Sequence, residues 1–201
     1  MKLYYSPGAC SLATHIVLKE TGTDHTLEKV DNAAKVTETG ADFWAVNPKG
    51  KVPVLTVEGE TLTEGPAILQ YLGDLSGNEA LAPKAGTLAR ARVNAMLNYV
   101  GTELHIAFSP LFKPTSDEAE KNVARGNVAK KFDWLEAQLA DGRAYLTGGE
   151  FTIADAYAFV VSNWAYFTGI SLANWPKLKA FADRVSARPA AQAAMRAEGL
   201  I

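Results

Sequence analysis

The chain of 201 residues holds a single cysteine, Cys10. That excludes internal disulfides and any zinc or iron–sulfur centre built on several thiolates. Its three histidines, His15, His25 and His105, show no metal-ligand spacing, so no metal site is expected. A basic excess is missing too: 20 Lys and Arg face 22 Asp and Glu, for a net charge of −2, and no basic cluster marks a nucleic-acid surface. Nor is there a long apolar run. The most apolar stretch, residues 154–167, is interrupted by Ser162 and Asn163 and falls short of the ~20 residues that span a bilayer. Residues 1–10 carry one lysine and a Tyr-Tyr-Ser-Pro-Gly turn in place of a secretory leader, so a reducing cytoplasm is the expected compartment. What is present, 48% hydrophobic and 21% charged residues, suits a globular chain and excludes a mainly disordered one.

Composition changes near residue 83. Residues 1–83 contain 9 alanines and residues 84–201 contain 24. The first part mixes short strand-like runs with Gly and Pro. Strands are expected at residues 2–5, 26–30, 54–57 and 61–63, and helices at 9–20 and 67–75. Residues 35–44 read as irregular or weakly helical, and Glu58-Gly59-Glu60 as a hairpin turn. The order β-α-β-(α)-β-β-α is that of the thioredoxin fold, with a parallel first pair. Residues 77–86 form the linker. The second part is helical by period. A long helix is expected over 87–108. Ala124, Val128, Phe132, Leu135 and Leu139 mark a second, and Ile153, Tyr157, Val160, Trp164 and Phe167 a third. That third helix is apolar on its other faces as well and should be central and buried. Thr152 and Asp155 have capping-box spacing before it, and Phe151 can act as a staple. Leu178, Phe181, Ala182 and Val185 mark one more helix, stopped before Pro189. The expectation is an α/β thioredoxin-like domain over 1–80 and an all-α domain over 87–201.

Several residues in this pattern can carry chemistry. Cys10 stands just after a strand and a Pro-Gly turn, at a helix start, where free amides and the helix dipole favour a thiolate and should lower the thiol pKa. The alternative is a small core residue. A Cys-x-x-Cys redox site would need a second thiol three residues away, but those places hold Pro7 and Ala13. Val52-Pro53 opens a strand. A cis bond there would free the Val52 backbone to pair with a peptide-like ligand, and a trans edge proline is the alternative. Glu64 and Gly65 precede a helix. The Gly65 amide can bind a carboxylate and the Glu64 side chain an ammonium, or the pair can simply start the helix. His105 lies on the long helix, on one polar stripe with Asn98 and Thr102, and is otherwise a solvated or internally satisfied ring. Phe108, Phe112 and Trp164 can line an apolar pocket or pack in the core.

Together these segments resemble the bacterial beta-class glutathione transferases. The likeness runs through Met1 to Leu12, Asn47-Pro48-Lys49-Gly50-Lys51-Val52-Pro53, Leu62 to Ile68, Glu103-Leu104-His105, Phe151 to Tyr157 and Ala197-Glu198-Gly199-Leu200. It covers the whole chain in family order. The resemblance implies a thioredoxin-like domain that binds glutathione as co-substrate, with no other cofactor. It also implies an all-helical domain contributing the electrophile pocket, a homodimer, and a role in detoxification. It implies that Cys10 meets the glutathione sulfur or forms a mixed disulfide with it. Lys35 would meet the glycyl carboxylate, Val52 the cysteinyl amide, and Glu64 and Gly65 the γ-glutamyl end. Asn98 and Glu103 to His105 would add contacts from the helical domain, and Trp164 would flank the electrophile. Many relatives carry a lysine directly after the histidine; Ile106 stands there in this chain. Tyr5 and Ser11 also lie near the sulfur by position, with Ser11 the runner-up activating group. The expected activity is conjugation of glutathione to a small, largely apolar electrophile. The alternatives are thiol transfer or reductive dehalogenation through a Cys10 mixed disulfide, and a non-catalytic binding protein of the same fold.

Overall fold

In the computed structural model the chain begins with β1 (Lys2–Tyr5), whose alternation turns Leu3 and Tyr5 inward and leaves Lys2 and Tyr4 half-exposed. α1 (Ser11–Thr21) comes next. It starts two residues later than expected, because Ala9 first closes a turn onto the Ser6 carbonyl at 3.0 Å. It stops where Gly22 takes φ +64°, a left-handed conformation that glycine adopts without steric cost. β2 (Thr26–Asp31) then runs parallel to β1, with Leu3 opposite Leu27.

Residues 35–44 differ from the expectation. They hold a two-residue edge strand, β3 (Val36–Thr37), and the start of a single helical turn, α2 (Phe43–Val46), capped by the Asp42 carboxylate accepting from Trp44 N at 2.9 Å. Two residues are too few to show a period of two, so only pairing with β2 defines this strand. β4 (Val54–Val57) and β5 (Glu60–Thr63) form the expected hairpin, and α3 (Gly65–Ser76) closes the run with Pro66 in its first turn. The sheet order is β3-β2-β1-β4-β5, and every pair but β1–β2 is antiparallel.

The helical part contains α4 (Leu88–Tyr99), α5 (His105–Phe112), α6 (Glu118–Gln138), α7 (Ile153–Asn163) and α8 (Pro176–Ser186). The expected single helix over 87–108 is interrupted by a π turn, Val100–Leu104. One added residue rotates the remainder of the helix by about 100°, so His105 leaves the stripe that Asn98 and Thr102 were expected to share with it. Thr102 Oγ1 turns back to donate to Asn98 O at 2.9 Å. α7 is buried along its length, as its all-round apolar sequence requires. Asp155 accepts from Thr152 N and Thr152 Oγ1, both at 2.8 Å, and from Leu146 N at 2.9 Å. The expected stripe fails at Phe167. The α-helix ends at Asn163, a 3₁₀ turn (Trp164–Phe167) succeeds it with a tighter period, and Phe167 is left 73% exposed.

A ninth helix, α9 (Pro189–Ala197), begins at the proline that reads as a stop signal, because proline also suits a first helical turn. The chain, described over residues 1–201, divides into one compact unit of 1–82 with 187–201 and another of 83–186. The C-terminal stretch therefore departs from the expected 87–201 helical domain. It packs α9 on α1, pairs Arg188 with Glu20 at 2.6 Å, and sets Glu198 against His15 at 2.9 Å. No helix is long and apolar enough to cross a membrane.

Candidate functional site

Cys10 caps α1. Its backbone is already helical, and its half-buried thiol donates to the Val52 carbonyl at 3.2 Å. Burial pushes the thiol up to about 11, against the pull of the Cys10 and Ser11 amides and of Lys51, while the Glu64 charge adds to the rise. The expected acidic thiol is thus overturned in the free chain: desolvation outweighs the helix start. Ser11 is fully buried, and its hydroxyl donates to Ser6 O at 3.3 Å while accepting from Ser6 N at 3.2 Å. Its proton braces the Tyr5–Cys10 loop, which corrects the expectation of Ser11 as an activating donor. Tyr5 is buried beside His15, and its phenol is pushed up by burial, then by the charges of Glu198 and Glu38.

The first unit also holds the other expected residues Lys35, Val52, Pro53, Glu64 and Gly65. Val52 joins Val30, Phe43 and Val54 in a small apolar cluster, and the Val52-Pro53 bond is cis. Gly65 lies against Pro53: a Cβ there would meet the proline ring at 3.6 Å. Lys35, at φ +58°, reaches across to donate to Gly50 O at 2.7 Å. Gly50 has room for no side chain, since a Cβ would fall 2.5 Å from the Trp44 ring. Glu64, at φ +71°, holds its carboxylate 2.6 Å from Lys49 Nζ, and Lys49 also donates to Thr63 Oγ1 at 3.1 Å. Lys49 was not singled out from the sequence. Its place within the Asn47–Pro53 segment was visible, but its partner, fifteen residues on, was not.

A further contact ties the Cys10 loop to the far end of the chain. The buried Glu198 carboxylate accepts from Gly8 N at 3.0 Å and from His15 Nδ1 at 2.9 Å. Both partners were missed as site residues. The sole signal was an acidic residue in the terminal Ala-Glu-Gly-Leu segment.

In the second unit, His105 is half-buried, with Nδ1 2.7 Å from the Tyr157 hydroxyl and its ring edge-on to Trp164 at 4.7 Å. Phe112 and Trp164 pack edge to face at 5.4 Å, with Phe112 half-exposed. Phe108 is a correction: it is fully buried against Phe132 and Trp164, so it supports the aromatic group from within and offers no surface to a ligand. Ile106, Tyr166 and Phe167 are exposed and were missed as candidates for an apolar surface. Asn98 is exposed on α4, and Glu103 pairs with Lys131.

Two family models match the chain: "Glutathione S-transferase, N-terminal domain" over residues 8–75 and "Glutathione S-transferase, C-terminal domain" over 99–189. The chain is 45% identical to Glutathione S-transferase GstA of Escherichia coli O157:H7, with both proteins covered in full. Among solved structures it is similar to the bacterial beta-class glutathione S-transferase of Sphingomonas chungbukensis, at 48% identity and a TM-score of 0.97, both chains covered in full. It is similar also to a sphingomonad glutathione S-transferase complexed with glutathione, at 48% identity and a TM-score of 0.95 over the full length of both chains.

Proposed function

Because the chain belongs to the glutathione S-transferase family, we propose that it joins the sulfur of glutathione to a small, largely apolar electrophile. The glutathione thiolate attacks an electrophilic carbon and forms the C–S bond. The leaving group departs with its electron pair, and the thiol proton passes to solvent. Holding both reactants and stabilising the thiolate supply the acceleration. Lys35 takes the glycyl carboxylate, the Val52 backbone the cysteinyl amide, and Glu64 with Gly65 the γ-glutamyl end. In the second unit, taken by itself, Phe112 and Trp164 offer an electrophile an apolar surface, with the His105 imidazole edge-on to Trp164.

The state of Cys10 carries the choice between conjugation and thiol transfer. A thiol that donates to Val52 O and is pushed up by burial favours the role of hydrogen-bond donor over that of nucleophile. The nucleophile is then the glutathione sulfur. The second reading, a Cys10 mixed disulfide resolved by glutathione, draws on the placement of that thiol beside the backbone proposed to hold glutathione. Cys10→Ala separates the two. Conjugation to a chlorodinitrobenzene should persist within roughly tenfold, the scale of one hydrogen bond. Loss of conjugation, with glutathione binding retained by calorimetry, would favour the mixed-disulfide route. In this reading the enzyme is a cytoplasmic two-fold homodimer, and a monomeric mass by sedimentation would oppose the dimer.

A further inference from the structure

We propose that Trp44 is a positioning residue for the glycyl end of glutathione: its ring packs on Gly50 and lies under the Lys35 ammonium, and so holds that cation in place for a carboxylate. The inference rests on the reading above that Lys35 takes that carboxylate. Gly50 is buried, and a Cβ on it would fall 2.5, 2.6 and 3.1 Å from Cζ3, Cη2 and Cε3 of the indole. The ring therefore lies directly on the Gly50 backbone. The Gly50 carbonyl accepts from Lys35 Nζ at 2.7 Å, and the same ammonium stands 5.8 Å from the centre of the Trp44 ring, within cation–π range. Trp44, Gly50 and Lys35 thus form a triangle in which each meets the other two.

The backbone around this triangle is pinned as well. Lys35 takes φ +58°, a left-handed conformation that a residue bearing a Cβ adopts only where its surroundings over-determine it. Here its amide donates to Asp31 O at 2.8 Å and its carbonyl accepts from Phe43 N at 2.9 Å, so Lys35 is fastened to the fully buried residue just before Trp44. On the other side, the side chain of buried Asn47 donates to Lys51 O at 2.7 Å and accepts from Lys49 N at 3.1 Å, and Gly50 N donates to Asn47 O at 2.8 Å. Charge decides what the arrangement is for. Lys49 pairs with the Glu64 carboxylate, whereas Lys35 Nζ meets a carbonyl and an aromatic face. Neither partner cancels its charge, and the nearby Asp31 carboxylate is taken up by the Ala33 and Ala34 amides at 2.8 and 2.9 Å. A half-buried ammonium held in this way keeps N–H donors and its charge for an anionic ligand. A carboxylate at position 44 would steady the lysine equally but neutralise it, which an indole avoids.

The test is calorimetry of two ligands on the intact protein: glutathione, and glutathione ethyl ester, whose glycyl carboxylate is masked. Wild type should bind glutathione more tightly than the ester. In Trp44→Leu the Kd for glutathione should rise about three- to tenfold, the scale of one cation–π contact with its packing, while the Kd for the ester stays within about twofold. Turnover should show the same split, with KM for glutathione raised and kcat much less affected. Trp44→Phe, which keeps a smaller aromatic face, should fall between wild type and Trp44→Leu. Equal losses of affinity for both ligands would make Trp44 a merely structural residue, and an unchanged Kd for glutathione would remove it from binding; either result overturns the proposal. So does a wild type that binds the ester as tightly as glutathione. If the leucine variant fails to fold, the phenylalanine variant decides, and an undiminished preference for glutathione over the ester there overturns the proposal. A wild type that binds neither ligand would overturn the functional reading instead.

Discussion

Replacing Glu198 by alanine should be among the most destabilising single changes in the first unit. Its fully buried carboxylate accepts from Gly8 N at 3.0 Å and from His15 Nδ1 at 2.9 Å. Alanine takes that acceptor from the buried His15 ring and from the partly buried Gly8 N–H. The histidine cannot compensate, because its Nε2 is already buried with no partner, and turning the ring only exchanges one unmet nitrogen for the other. Hydrogen bonds to a charged group contribute about 1.5–3 kcal/mol each, and removing one side of a buried pair costs about 3–5 kcal/mol. The expected loss is therefore about 3–5 kcal/mol, a large share of the roughly 5–15 kcal/mol typical of a folded protein. Glu198→Gln should lose less, since its carbonyl still serves one donor while its amide group opposes the other. The assay is guanidinium denaturation followed by tryptophan fluorescence, at one fixed protein concentration because association would shift the midpoint. Alkylation of Cys10 gives a local readout: freeing Gly8 from Glu198 should loosen the Tyr5–Cys10 loop and speed the reaction. A Glu198→Ala protein within about 1 kcal/mol of wild type, with unchanged Cys10 reactivity, would refute the reasoning and reduce the contact to one that solvent replaces at no cost.

Alkylation of Cys10 in the ligand-free protein should be slow at neutral pH and rise with a midpoint near 11, because burial favours the neutral thiol. Stability should fall as pH rises through the window between the unfolded and folded thiol values, since the unfolded chain releases its proton first; a midpoint at or below about 8.5, that of a free thiol, would contradict this. Asp155→Ala removes the acceptor for Leu146 N, Thr152 N and Thr152 Oγ1 at a buried helix start and should cost about 3–5 kcal/mol by denaturant midpoint, while Asp155→Asn should cost less; a loss under about 1 kcal/mol for alanine would mean that the box contributes little.

Features set by neighbours within a few residues were legible in the sequence. Thr152 and Asp155 announce the start of α7 because their bond closes over three residues, and the apolar residues on every face of that helix announce its burial. The hairpin over 54–63 and the placement of Cys10 at a helix start are written in local turn chemistry. The acidity of Cys10 was not legible. The helix start is local, but burial beneath Val52 is not, and burial prevails. The π turn escaped detection because one added residue within five leaves no periodic signature in the sequence. α9 carries the signature of a helix but none of the unit it joins. Contacts between Cys10 and Val52, His105 and Tyr157, and His15 and Glu198 span 42, 52 and 183 residues. Such pairs form only where separate elements return to the same place. Local propensity fixes which elements exist, while long-range burial decides which side chains meet and how their protons are held.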